Sequence, residues 1–306
     1  MDRFSSTGLI SLIHNVVSGI DADLLGGLRR PDPMQHAVSS EAAKRDLVAR
    51  VLDRLGPGIL LSVGQYLDLA DETPAITVLK RSPDPAVLAE KWMRLERYYH
   101  SSNRIRIDRE GAHKWACTRT NTEAPATLGE NCLISGLLLG LLQAIGVEGA
   151  QLWIGAREFD PKQLQHVSLP PEESLETFVI TWRADRAGQV SDTMAGPTDV
   201  PVNARLTDLL ASDIGQSWKL SDAARNLAFS ERSLQRHLSG EGYSFSSILR
   251  RARMRAATDL LTRSRAPLAE IGYCCGYADQ AHFQRDFLRT TNMTPRVFRG
   301  ISGDVI

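Results

Sequence analysis

The chain has 306 residues, 42% hydrophobic and 24% charged, a composition that excludes global disorder and implies about two domains. Its 36 basic and 36 acidic side chains cancel, but unevenly: residues 211–306 carry 14 Lys+Arg against 9 Asp+Glu, and residues 1–210 carry 22 against 27. Such asymmetry points to nucleic acid or a membrane surface, with a solvated basic face as the plainer reading. Four cysteines (Cys117, Cys132, Cys274 and Cys275) form no C-x-x-C pair, which suits a reduced, cytoplasmic setting and leaves no spaced partners for zinc.

The N-terminal stretch MDRFSSTGLISLIHNVVSG is apolar but broken by His14 and Asn15, and no small-residue cleavage site follows; a signal peptide is not expected. Asp21 and Asp23 could pair around a metal, although capping or a turn is the commoner role of such residues. Glu41–Leu55 reads as a helix stopped by Gly56-Pro57-Gly58. Asp84–His100 has Val87, Leu88, Trp92, Leu95 and Tyr99 at helical spacing. Arg104–Asp108 and His113–Arg119 alternate about Gly111 and predict a hairpin. Thr127–Ile145 predicts an apolar helix ending at Gly146. Its run Leu133–Val147 falls short of the roughly 20 residues of a membrane span. Gln151–Ala156 and Glu176–Trp182 read as strands.

Residues 1–183 therefore form a mixed domain, α/β or α+β, between which periodicity does not decide. Its histidines are scattered, and no nucleophile elbow, Walker loop, H-E-x-x-H or G-x-G-x-x-G is present, so no catalysis, cofactor or metal is expected. A pocket walled by Trp92, Tyr99, Trp115 or Trp153 would suit a small-molecule effector, core packing being the alternative. Residues 184–203, rich in Gly, Pro, Ser and Asp, have linker composition.

Residues 204–306 read as almost wholly helical. Leu220–Leu227 is a short helix with Ser221 placed to cap. Ser230 caps a second helix, Glu231–Ser239, with Leu234 and Leu238 inward. Two short helices joined by a tight turn are the helix-turn-helix pattern. The face opposite the leucines carries Arg232, Gln235 and Arg236, side chains that bond guanine and adenine edges in the major groove. The pattern recurs: Leu268–Cys275, a Gly276-Tyr277 turn, then a helix capped by Asp279 with Phe283 and Phe287 inward. Ala281, His282, Arg285 and Arg289 lie opposite, with Gln280 and Gln284 at its entry and flank. Between the two pairs, Phe245–Arg263 predicts one helix of roughly 28 Å, near one turn of DNA. Arg250, Arg251, Arg253, Arg255, Arg263 and Arg265 crowd it, and some would meet phosphates.

The runs S-x-x-x-L-Q-R-x-L (Ser230 to Leu238), E-G-x-S-F (Glu241 to Phe245), P-L-x-E-I (Pro267 to Ile271), G-Y-x-D-Q-x-x-F-x-R-x-F (Gly276 to Phe287) and T-P-x-x-F-R (Thr294 to Arg299) stand in order without a gap. From Trp218 to Arg299 the chain resembles the DNA-binding domain of the AraC/XylS family. The resemblance implies an α+β multidomain protein with two helix-turn-helix units. Arg232, Gln235 and Arg236 would read one major-groove segment, and Gln280, Ala281, His282, Gln284 and Arg285 the next. It also implies double-stranded DNA and RNA polymerase as partners, a homodimer, an activator role, and an N-terminal regulatory domain; the alternative is an N-terminal domain that only dimerises or binds protein. Residues Ser82–Ile107 and the hairpin and helix after them resemble the α/β arabinose-binding type of regulatory domain, not the cupin barrel. Two positions depart from the family: Gly272 replaces the usual Ala, at roughly 1 kcal/mol of helix propensity, and His282 stands where small or hydroxylic residues are common.

Overall fold

The computed structural model describes residues 4–26, 38–69, 74–98, 103–121, 125–170, 172–183 and 200–303. They fall into two compact units, one within residues 1–185 and one within 186–306. Residues 184–199 of the expected linker lie outside the described residues.

The first unit opens with β1 (Phe4–Ser6), which pairs antiparallel with β2 (Val38–Ser40), and α1 (Thr7–Ser18) between them. The apolar stretch that holds His14 and Asn15 is this helix; it buries Ile10, Leu12, Ile13, Val16 and Val17. Asp21 is taken by an ion pair with Arg54 at 2.8 Å. Helix α2 (Glu41–Leu55) has its expected bounds. The stop that follows also starts a helix: Gly56 turns the chain at φ 78°, and Pro57 opens α3 (Pro57–Ser62) at the first helical position, where proline's missing N–H costs nothing. A 3-10 stretch (Val63–Leu69), α4 (Pro74–Lys80) and α5 (Pro85–Tyr98) complete this helical layer.

Strands β3 (Asn103–Arg109) and β4 (Lys114–Asn121) form the expected hairpin, with Gly111 at φ 78° in its turn. Helix α6 (Leu128–Ala144) starts at a reciprocal cap, Glu130 N–H donating to Thr127 Oγ1 and Thr127 N–H to Glu130 Oε2. The strand expected over Gln151–Ala156 is β5 (Gln151–Ile154), and the chain turns at Gly155, φ 57°, into a further strand that was not expected, β6 (Arg157–Phe159). With β7 (Thr177–Thr181) they make a five-stranded sheet in the order β3-β4-β7-β5-β6. Every pairing is antiparallel, which decides for α+β in this unit.

The most intimate contact of the unit lies between α6 and the α3–3-10 segment. A Cβ on Gly136 would stand 2.2 Å from the Leu61 carbonyl oxygen, and one on Gly140 would stand 2.1 Å from that of Gly64. The two segments therefore touch backbone to backbone, along a helix that buries Leu133, Leu137, Leu138, Leu139, Leu141 and Leu142.

The second unit is all helical among its described residues: α7 (Val202–Ser212), α8 (Leu220–Asn226), α9 (Glu231–Gly240), α10 (Phe245–Arg263), α11 (Leu268–Cys274), α12 (Gln280–Thr291) and α13 (Pro295–Gly303). It has two cores. Leu206, Leu210, Trp218, Leu234 and Leu238 close one with Ile248 and Leu249 from the start of α10. Ile271, Tyr277, Phe283 and Phe287 close the other with Met254, Ala257 and Leu261 from its later turns. Helix α10 thus belongs to both. Cys274 and Cys275 are buried, and burial pushes the Cys275 thiol up to about 12. They act as small apolar residues, as does Cys132 in α6.

Candidate nucleic-acid interface

Each helix pair consists of a seven-residue helix, a short turn and a longer helix. In the first, Ser230 caps α9 by accepting from Ser233 N–H at 3.1 Å. Ser221 is not the cap of α8: that helix begins after Lys219, whose N–H donates to Asp222 at 3.3 Å, and Ser221 sits inside the first turn. The turn reaches φ 59° at Ala228. In the second pair Asp279 caps α12 by accepting from His282 N–H at 2.7 Å. Gly276 holds the turn at φ 74°, and a Cβ there would stand 2.4 Å from the Ile214 carbonyl oxygen, so this position requires glycine.

Burial of Leu234 and Leu238 fixes the rotation of α9 and leaves Arg232, Gln235 and Arg236 exposed. Burial of Phe283 and Phe287 does the same for α12, leaving Ala281, Gln284 and Arg285 exposed. Gln280 and His282 are half-buried, and the His282 ring meets Tyr277 edge-on at 5.2 Å. Gly272 permits a close seat for α12: a Cβ there would be 3.1 Å from Phe283 Cβ.

Several arginines of α10 have partners within the unit. Arg250 Nε lies 3.2 Å from Asp286 Oδ1, tying α10 to α12. Asp286 also accepts from Arg289 Nη2 at 2.6 Å and from the Tyr277 hydroxyl at 3.1 Å. Arg251 and Arg253 lie over the rings of Tyr243 and Tyr277, at 5.9 and 5.2 Å. Glu241, just past α9, accepts from Val202 N–H and Asn203 N–H at 2.9 and 2.8 Å and so anchors α7.

The aromatic residues considered for an effector do not converge. Tyr99 lies outside the described residues. Trp115 is 1% exposed and packs edge-on against Trp182 at 5.6 Å, while the Trp153 indole donates to Thr181 Oγ1 at 3.0 Å on the sheet. Trp115 borders an open cleft of about 500 Å³ with Trp182, Arg109 and Lys114, whereas Trp92 lines a more enclosed and mostly apolar cavity of about 130 Å³. Its apolar wall includes Leu12, Leu67, Leu79, Leu133 and Leu137. Its polar wall is Lys44, Glu96, Asn103, Arg119 and Glu130, none of which the aromatic pattern pointed to. Period-2 alternation held the signal, since Arg119 continues the inward row of Trp115 and Cys117 on β4. Among the described residues no cluster of His, Cys, Asp and Glu suits a metal, and no helix is long and apolar enough to cross a membrane.

A short helix, a tight turn and a second helix with an exposed polar face place the C-terminal unit in the helix-turn-helix class. A helix-turn-helix domain family matches residues 223–300. The urease operon transcriptional activator of Escherichia coli is 38% identical over 101 residues, 33% of this chain and 34% of that protein. The ornithine utilization regulator of Pseudomonas aeruginosa is 38% identical over 95 residues, 31% of this chain and 28% of that protein. The match thus spans about a third of the length of these curated relatives. The solved transcriptional regulator CdpR from Pseudomonas aeruginosa is 19% identical at a TM-score of 0.34, over 91% of this chain and 96% of that one. The C-terminal unit thus carries a helix-turn-helix domain, and over that unit the chain is similar to bacterial transcriptional regulators.

Proposed function

We propose that this protein is a sequence-specific DNA-binding transcription regulator that reads two successive major-groove segments, one with α9 and one with α12. The observation that carries this reading is the repeated exposure of Arg and Gln on the faces opposite the buried Leu234/Leu238 and Phe283/Phe287 pairs. A solvated basic face would have to produce the same arrangement twice. Helix α10 supports it as well: its 19 residues span about 28 Å and contribute to both cores, so it can space two reading helices by nearly one turn of DNA. A small-molecule effector acting through the N-terminal unit is the second part of the proposal, and the mixed apolar and charged cavity of that unit favours it over a unit that only dimerises.

The test is a footprint of the full chain on DNA selected from a random pool, repeated with Arg236→Ala and Arg285→Ala. Two protected segments about one helical turn apart are expected. Each substitution should cost about 1–3 kcal/mol and relax the preference at one base position. Protection unchanged in the double variant would overturn the assignment of these faces.

A further inference from the structure

The cavity of the N-terminal unit has an unusual chemical asymmetry. Its apolar wall comes from α1, α4, α5 and α6 and from the 3-10 stretch 63–69, and its charged groups stand among them. The charges do not all neutralise each other. Glu130 is fully engaged: Lys44 Nζ lies 3.3 Å from Oε1, Arg45 Nε 3.2 Å, and Thr127 N–H donates to Oε2 at 3.1 Å. Burial alone would raise the Glu130 carboxyl, yet Lys44, the Thr127 N–H and Arg45 together hold it below the usual range. Glu96 Oε2 accepts from Ile105 N–H at 2.8 Å.

Arg119 is the exception. Its side chain is 3% exposed, and its nearest carboxylate oxygen, Glu96 Oε1, is 3.7 Å from Nη1, an ion-pair distance rather than a hydrogen bond. Nε and Nη1 are buried and have no hydrogen-bond partner. Buried polar groups left in this state are costly, on the order of 1–3 kcal/mol and more when charged. A buried guanidinium with unmet donors matches an anionic acceptor such as a carboxylate. An amine would instead need a free carboxylate, and the two on this wall are already engaged, one by two cations and one by a backbone N–H. Size sets the other limit. An engineered apolar cavity of about 150 Å³ accepts benzene, so 130 Å³ suits an apolar body on the order of six carbons.

We propose that this cavity binds a small amphipathic monocarboxylate, its carboxylate held by the Arg119 guanidinium and its aliphatic or aromatic body against Trp92, Leu133 and Leu137. This deepens the effector part of the functional reading and is independent of the DNA-reading faces.

The experiment is calorimetric titration of the full chain with sodium hexanoate, 1-hexanol and hexylamine at matched ionic strength. One hexanoate per chain is expected, bound about tenfold or more tightly than the alcohol or the amine, as a charge-assisted hydrogen bond requires. Arg119→Gln should reduce hexanoate to the level of hexanol, and Leu137→Trp, which fills the cavity, should abolish both. Hexanol or hexylamine matching hexanoate, no binding of hexanoate, or hexanoate affinity unchanged in either variant would overturn the proposal. Should Arg119→Gln fail to fold, the ranking of the three probes on the unaltered chain and the Leu137→Trp result still decide. A footprint that persists without hexanoate binding defeats only the ligand inference; hexanoate binding without a footprint defeats only the DNA reading.

Discussion

Glu96 shows what burial does to one ionisable side chain. Its carboxyl is pushed up from an ordinary 4.5 to about 7, first by burial, against the opposing effects of the Ile105 N–H, Arg119, Trp92 and Arg104. A carboxyl raised in the folded state binds protons that the unfolded chain has already released. The stability it contributes is complete below about pH 4.5 and is lost as pH rises through about 7. The N-terminal unit should therefore lose up to roughly 3 kcal/mol between pH 5 and pH 8. Glu96→Gln should flatten that decline. Denaturant unfolding followed by tryptophan fluorescence checks this, because Trp92, Trp115, Trp153 and Trp182 all lie in this unit. A slope equal in the two proteins would refute it. Arg250 poses a second question at this scale. Nε is committed to Asp286, but a guanidinium has further donors that could still meet a phosphate. Because the pair is half-exposed and Arg289 also holds Asp286, Arg250→Ala should cost only about 1 kcal/mol of stability. If Arg250 also meets phosphate, the variant binds all DNA sequences more weakly and with a shallower salt dependence. A reduced melting temperature with an unchanged salt slope would make it a clamp only.

Among the elements, the contact of α6 with the α3–3-10 segment has the least slack. Backbone meets backbone at Gly136, so a methyl group there has no flexible side chain to displace. Gly136→Ala should destabilise the N-terminal unit by about 1–3 kcal/mol or more, although alanine is the better helix former. Gly240, where nothing lies within 4 Å of an added Cβ, is the control: Gly240→Ala should leave stability nearly unchanged. Equal melting temperatures for the two variants would refute the close approach. In the C-terminal unit the elements follow local rules closely. Serine or aspartate caps start α9, α10 and α12, and positive-φ turns at Ala228 and Gly276 separate the paired helices.

For the molecule as a whole, the two units divide the chemistry. The C-terminal unit carries the surplus of positive charge and a repeated pair of polar helix faces, both suited to a polyanion. The N-terminal unit carries the acidic surplus and the ligand-sized cavity. Two cores threaded by the single helix α10 explain how two helix pairs can keep a fixed spacing.

The amino-acid sequence by itself determined most of the C-terminal unit. Its helices are short and capped, their apolar residues recur at three and four, and its turns are marked by Ser230, Gly276 and Asp279, so the signals that place Arg236 and Arg285 outward are local. It also determined the hairpin about Gly111 and the helices of residues 41–55 and 85–98, for the same reason. Only the tertiary structure decided the remainder. The order β3-β4-β7-β5-β6 depends on pairing between distant strands, which no window of residues contains. The pattern around Gly56 and Pro57 reads as a stop because one helix ends there, while the start of the next needs a neighbour to pack on. The cavity was least legible of all. Lys44, Glu96, Arg119 and Glu130 come from four separate elements, and a buried charge is recognisable only once its surroundings and its partners are known.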